Sequence, residues 1–277
     1  HNERAIAKSR TLDCDVVILD LEDAVAPDSK ASARTTAQTA LDEGGFNPRE
    51  IAVRVNGIGS EWHMDDVSAF ANLPLDALVL PKAEDPEEIY RLGEQMDALG
   101  YHPDVALWLM AETPTGVLNA RALCRAHTRV EVLIMGTSDL AKCLRIPATI
   151  EREGLIHALS QCVLAAREAH IDVLDGVCLD LENTELYRVQ CEQGRTLGFD
   201  GKTLIHPSQI ALANRIFAPS EDEISHAQAI TIAWNDAIAQ GEGLCVLHGK
   251  LVENLHAEEA TRILALSKAI QARTQSE

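Results

Sequence analysis

Seven short aliphatic runs, at 16–21, 51–55, 77–80, 105–110, 132–135, 171–177 and 203–205, recur along the chain with helix-patterned stretches between them. Each run is too short for a core helix and is rich in Val, Ile and Leu, the composition of a strand covered on both faces. Strand plus helix repeats about every thirty residues, which is the rhythm of βαβ units in a parallel sheet. Local punctuation agrees with this reading. Asp28 is placed to cap a helix running through Ala40 to the Gly44-Gly45 stop, Asp85-Pro86 opens one that ends near Gly100, and the stretch 184–197 stops at Gly198.

Beyond residue 218 the rhythm changes. Ser220 to Glu223 forms a capping-box pattern that opens a long helix to about Gln240, followed by 241–249 and a last helix from about His256. The expected architecture is therefore a TIM (β/α)8 barrel over 1–218 with a C-terminal helical appendage over 219–277. Eight strands close that barrel, whereas the pattern supplies seven and starts directly in the polar helix HNERAIAKSR, so the first strand is expected to be absent from this chain.

Composition narrows the function classes. Hydrophobic residues are 46% of the chain and aromatics only 4%, so the core is packed mainly with Ala, Val, Ile and Leu, which suits an α/β protein. A formal net charge of −19 without a Lys/Arg cluster argues against a nucleic-acid partner. The seven cysteines are scattered, with no C-x-x-C pair, as expected of reduced thiols in a cytoplasmic protein. No apolar run approaches the roughly 18 residues that span a bilayer, so no membrane association is expected.

The polar residues fall where the strands end. Glu22 and Asp23 follow the first aliphatic run, Arg54 and Asn56 the second, Lys82 the third, Glu112 the fourth, and Gly136-Thr137-Ser138-Asp139 the fifth. In a (β/α)8 barrel all carboxyl ends open on one face, where active sites sit. An acid after a strand often serves only as a helix cap or solvated loop residue. Glu112 departs from that reading, because a carboxylate directly after LWLMA is largely buried and needs a partner or a metal. Glu112 and Asp139, from adjacent strands, make a site for a hard cation such as Mg2+. A buried Arg54, flanked by Val53 and Val55, wants an anion. His206, in the LIHP segment, is a candidate ligand-pocket residue, although a structural histidine is the commoner reading at such a position.

Six motifs in order resemble the citrate lyase beta-subunit-like family: DVVILDLEDAV at 15–25 with Lys30 and Arg34 downstream, VRVN at 53–56, LPK at 80–82, AETPTG at 111–116, MGTSDLA at 135–141 and GFDGKTLIHPSQI at 198–210. The likeness spans essentially the whole chain. Members of that family usually carry a strand ending in Pro-Gly just ahead of the HNERA segment, in line with the absent first strand. The resemblance implies a Mg2+-dependent lyase that cleaves a short 3-hydroxyacyl-CoA of the malyl-CoA or citramalyl-CoA type, by a retro-Claisen reaction, to acetyl-CoA and a 2-oxo acid. It implies Glu112 and Asp139 as metal ligands and Arg54 as the group facing the enolate oxygen. Glu22 and Asp23 are implied to hold metal-bound water, and Gly136, Thr137 and Ser138 to bind the substrate carboxylate with backbone amides.

Gly249 to Glu253 resembles a family segment whose terminal Asp reaches a neighbouring subunit's site as an acid/base group; here Glu253 stands in its place, one methylene longer. That role implies an oligomer, and the family suggests a homotrimer. Two alternatives use the same site: a citryl-carrier-protein lyase subunit of citrate lyase, and a malyl-CoA thioesterase in which water attacks the thioester carbonyl.

Overall fold

The computed structural model describes residues 2–274. Asn2 caps a short polar helix, α1 (Glu3–Ser9), and the chain then enters β1 (Val16–Asp20). Strands and helices alternate from there: α2 (Lys30–Glu43), β2 (Glu50–Arg54), α3 (His63–Ala69), β3 (Ala77–Leu80), α4 (Pro86–Ala98), β4 (Ala106–Ala111), α5 (Pro114–Leu123), β5 (Val130–Met135), α6 (Thr137–Leu144), α7 (Ile156–Ala169), β6 (Asp172–Asp175), α8 (Thr184–Leu197), β7 (Gly201–Lys202) and α9 (Ile210–Phe217).

Among the described residues β1 to β7 form one sheet in sequential order, and every neighbouring pair is parallel. This is the winding of a (β/α)8 barrel with one strand fewer than closure takes. Side chains alternate across each strand, and one set meets inside: Val16 and Ile18, Ala52, Ala77 and Val79, Ala106 and Trp108, Val132 and Ile134, and Leu174. Most of these are small or branched, which is how a core with few aromatics fills a barrel. Continued toward the carboxyl ends, the same alternation brings Asp20, Arg54 and Glu112 onto the inner face. An apolar interior thus ends in a polar rim.

Helix boundaries follow local chemistry. Asp85 Oδ1 accepts the Glu87 N–H at 2.9 Å and starts α4. Gly44, at φ +65°, ends α2, and Gly198, at φ +100°, ends α8. Asp28 does not cap α2. Residues Pro27–Ser29 form a 3-10 turn that runs straight into the helix, so no side chain is needed to start it.

The last barrel strand lies at Gly201–Lys202, not at 203–205. Thr203 closes it by donating its N–H (2.9 Å) and hydroxyl (3.1 Å) to Asp175 O. The chain then turns: His206 caps a 3-10 turn at Pro207–Gln209, and the Gln209 side chain accepts the N–H groups of Ile205 and His206. The structural reading of His206 agrees with this.

The chain divides into two compact units between Asn214 and Arg215. The second contains α10 (Glu221–Ala239), β8 (Cys245–Leu247), β9 (Lys250–Val252) and α11 (Asn254–Thr274). The Ser220/Glu223 capping box opens α10 as the sequence predicts. The stretch 241–249 is not a plain loop: β8 and β9 form an antiparallel hairpin about His248 and Gly249, at φ +48° and +75°. Positive φ at both positions is the two-residue hairpin turn. Helix α11 consequently begins two residues ahead of His256. Among the described residues no helix is long and apolar enough to cross a membrane.

Candidate active site at the barrel mouth

Asp20 and Arg54 are register partners across β1 and β2. Arg54 donates Nε to Asp20 Oδ1 at 2.7 Å and Nη2 to Oδ2 at 2.5 Å, a two-pronged ion pair. The same carboxylate accepts the N–H groups of Glu22 (2.8 Å) and Ala24 (3.1 Å), folding the turn that carries Glu22 and Asp23. Burial opposes ionisation of Asp20, but the Arg54 guanidinium and these two amides hold its carboxyl below the usual range. Burial likewise opposes the charge on Arg54, and its acidic neighbours overcome that and hold the proton more tightly than usual. Its remaining nitrogen, Nη1, lies 3.0 Å from Glu22 Oε2 and 3.9 Å from Asp23 Oδ2.

Glu22 is buried, and its Oε1 accepts from Lys82 Nζ. The turn beneath it is pinned by buried Lys30, which donates to Leu21 O and Glu22 O at 2.7 Å each and sits 5.3 Å from the centre of the Trp62 ring. Lys82 has a left-handed backbone, φ +52°, and its N–H donates to Glu112 Oε1 at 2.8 Å. Partial burial opposes the Lys82 charge, but Glu22 raises its pKa above the ordinary lysine value.

Glu112 is 2% exposed. Burial, followed by the charges of Glu22 and Asp139, pushes its carboxyl up to about 7 against the opposing Lys82 N–H and ammonium. Its place depends on Gly136: a Cβ there would overlap Glu112 Cβ and Oε2. Gly136 is also the residue ahead of α6, so Thr137, Ser138 and Asp139 form the first turn, whose N–H groups have no partner within the helix. Thr137 is buried, Ser138 exposed and Asp139 half-buried.

Asp20, Glu22, Asp23, Glu112 and Asp139 outnumber Arg54, Lys82 and Lys30. A carboxyl driven to about 7 first by burial and then by two like charges is a site short of positive charge. Glu112 and Asp139 therefore fit a hard divalent cation with oxygen ligands. Beside them opens a cavity of about 410 Å3, lined among others by Glu22, Asp23, Asn56, Ile58, Trp62 and Lys82. Its far wall is braced by Asp66, which accepts the Asn56 N–H (2.9 Å) and Nδ2 (2.6 Å) and is held by Arg34 Nε at 2.8 Å.

Of the residues singled out from sequence, Glu22, Asp23, Arg54, Glu112, Gly136, Thr137, Ser138 and Asp139 all lie at the carboxyl ends of the strands. Glu253 lies in the second unit, exposed, directly ahead of α11, with its N–H donating to His256 Nδ1 at 3.1 Å. Sequence reasoning passed over Asp20 and gave Lys82 little weight. Asp20 could have been found from the strand's alternation, since it follows Val16 and Ile18 at the inward spacing of two.

A second set of donors, Glu94, Asp97 and His127, has its ligand atoms within 4.8 Å of one another. It sits at the last turn of α4 and the turn entering β5, the opposite end of the barrel from the acids above. Its capacity is partly spent: His127 Nδ1 accepts the Arg129 N–H at 3.2 Å, which leaves the ring proton on Nε2, and Asp97 Oδ1 is held by Arg129 Nε at 2.8 Å.

Residues 1–207 match the family model described as HpcH/HpaI aldolase/citrate lyase. The chain is 42% identical over 270 residues to a (3S)-malyl-CoA thioesterase of Cereibacter sphaeroides, covering 98% of this chain and 92% of that protein. It is 31% identical over 282 residues to an L-malyl-CoA/beta-methylmalyl-CoA lyase of the same species, covering 93% and 89%. The crystal structure of the CitE protein of Mycobacterium tuberculosis with magnesium, acetoacetate and coenzyme A is similar at a TM-score of 0.73 and 27% identity, covering 95% of this chain and 94% of that one. With a family model matched over most of its length and relatives aligned almost end to end, this chain belongs to the HpcH/HpaI aldolase/citrate lyase family.

Proposed function

We propose that the chain is a Mg2+-dependent enzyme that hydrolyses a short 3-hydroxyacyl-CoA thioester of the malyl type. The observation that carries this reading is the identity to (3S)-malyl-CoA thioesterases, 42% across nearly the whole chain, against 31% to a malyl-CoA lyase. The motifs alone do not separate hydrolysis from carbon–carbon cleavage, because they suit both activities.

In this reading Glu112 and Asp139 hold the metal, consistent with the excess of acid around them and with the magnesium named in the M. tuberculosis CitE structure. Bound there, Mg2+ supplies Lewis-acid polarisation of substrate oxygens. Arg54, oriented by its pairs with Asp20 and Glu22, stabilises the oxyanion that forms on the thioester carbonyl. Amides of Thr137 and Ser138 at the start of α6 bind the acyl group's free carboxylate. Glu22 and Asp23 order the attacking water and take its proton. Its oxygen bonds to the thioester carbon, the resulting oxyanion collapses as the C–S bond breaks, and the proton taken from the water passes to the leaving thiolate. In this reading Glu253 serves a neighbouring subunit's site in a homotrimer; sedimentation of the full chain tests the trimer, and turnover of Glu253→Gln tests the residue.

The second reading, carbon–carbon cleavage to acetyl-CoA and a 2-oxo acid, needs the same Arg54 to face an enolate oxygen. It is favoured by the lyase relative. Malyl-CoA and citramalyl-CoA, each incubated with Mg2+ and the purified chain, separate the two. Free thiol without 2-oxo acid is the expected result. Oxo acid without free thiol would make the protein a lyase.

A further inference from the structure

Lys82 touches two carboxylates of the mouth through two different groups. Its main-chain N–H donates to Glu112 Oε1 at 2.8 Å, and its side-chain Nζ donates to Glu22 Oε1. Both are possible because the residue sits at φ +52°, a conformation that L side chains other than Asn and Asp seldom adopt. The position directly follows β3, where Pro81 fixes the chain ahead of it, and the next residue is tied back by Ala83 N–H to Met110 O at 3.2 Å. An extended backbone at Lys82 would swing the N–H away from Glu112. The left-handed turn is thus the device that lets one residue reach both acids.

We propose that Lys82 is a positioning residue with two separable functions. Its left-handed backbone aims the N–H that fixes Glu112 for the metal, and its ammonium fixes Glu22 beside Arg54. The inference rests on the metal site of the proposed function, but not on whether the reaction is hydrolysis or carbon–carbon cleavage.

The two functions separate by substitution. Lys82→Gly and Lys82→Val both lack the ammonium, but glycine adopts positive φ freely and a β-branched residue resists it. Lys82→Met keeps the backbone preference of lysine and removes only the charge. Mg2+ is titrated calorimetrically into each full-length variant, with melting temperature as the check on folding; Lys82→Thr replaces the valine variant if that one is not folded at the assay temperature.

The expected result is Mg2+ affinity in Lys82→Gly within about threefold of wild type or tighter, and in the β-branched variant about tenfold or more weaker than in the glycine one. Lys82→Met is expected to bind Mg2+ at least as tightly as wild type, since a nearby positive charge is gone. Its turnover should nevertheless fall about tenfold or more with KM little changed, whichever product is read. A lysine that merely supported the fold would weaken metal binding and raise KM together.

Equal Mg2+ affinity in the glycine and β-branched variants would overturn the backbone function, and unimpaired turnover in Lys82→Met would overturn the ammonium's. A wild-type chain that binds no Mg2+ would bring down the proposed metal site and this inference with it. One that binds Mg2+ and releases only 2-oxo acid corrects the reaction and leaves the Lys82 comparison intact.

Discussion

Burial and its acidic neighbours hold the Glu112 carboxyl at about 7, so this residue changes charge in the neutral range. The folded value stands above the ordinary 4.5, so between 4.5 and about 7 the native chain keeps a proton that the unfolded chain has lost. Stability of the metal-free protein therefore falls as pH rises through that window and levels off above it. Mg2+ needs the ionised form, so its affinity should run the other way, about tenfold weaker at pH 6 than at pH 8, with proton release on binding at pH 6. Titration calorimetry in buffers of different ionisation enthalpy reads both, and a pH-independent affinity would remove Glu112 from the metal. Asp20 has the opposite sign: its depressed pKa contributes stability that is lost only as pH falls below the ordinary carboxylate range. Replacing it by Asn removes the charge opposite Arg54 and part of the cap on the 20–24 turn, at a cost of about 1.5–3 kcal/mol by denaturant melts. Turnover should drop about tenfold or more as Nη1 loses its aim, and an unchanged rate would show that Arg54 orients itself.

At the scale of elements, the approach of α6 to β4 is set by one missing side chain. Gly136→Ala places a methyl onto Glu112, so either the start of α6 or the Glu112 side chain must move. Loss of Mg2+ binding together with about 1–3 kcal/mol of stability is the expected outcome, measured by calorimetry and urea melts on the same sample. Intact Mg2+ binding would mean that Glu112 has room to spare. The same locality explains what sequence could reveal. Helix α8 is legible to the residue because its limits, Asn183 and Gly198, act on their own neighbours. The run at 203–205 misleads because the strand end is decided by Asp175, far away in sequence, which claims Thr203. The β8–β9 hairpin was hidden because His248-Gly249 is a less usual pair for its turn than Asn-Gly. The site divides in the same way. Arg54 and Glu112 stand out as charges at the ends of apolar strands, while Asp20 is absorbed into an aliphatic run and the importance of Lys82 lies in a backbone angle that residue identity does not disclose.

Over the whole molecule, a net charge of −19 says only that cations are attracted; which end of the barrel holds one depends on local accounting. At the mouth, Glu112 and Asp139 make no ion pair among the described residues, and the Lys82 ammonium is given to Glu22. At the far end, Asp97 is already paired with Arg129, and His127 presents an N–H rather than a lone pair. A ligand that binds only the folded state stabilises it by about 2.7 kcal/mol at a hundredfold excess over its Kd, and each kcal/mol is worth about 2–4 °C of Tm in a protein of this size. Mg2+ should therefore raise the Tm of the wild-type chain by roughly 5–10 °C at pH 8. The rise should shrink at pH 6, where Glu112 holds its proton. Glu112→Ala should abolish the Mg2+-dependent rise, and His127→Ala should leave it intact. The reverse pattern, a shift that survives loss of Glu112 and vanishes with His127, would place the ion at the amino-terminal end of the strands, away from Arg54 and the cavity, where it has no thioester to act on.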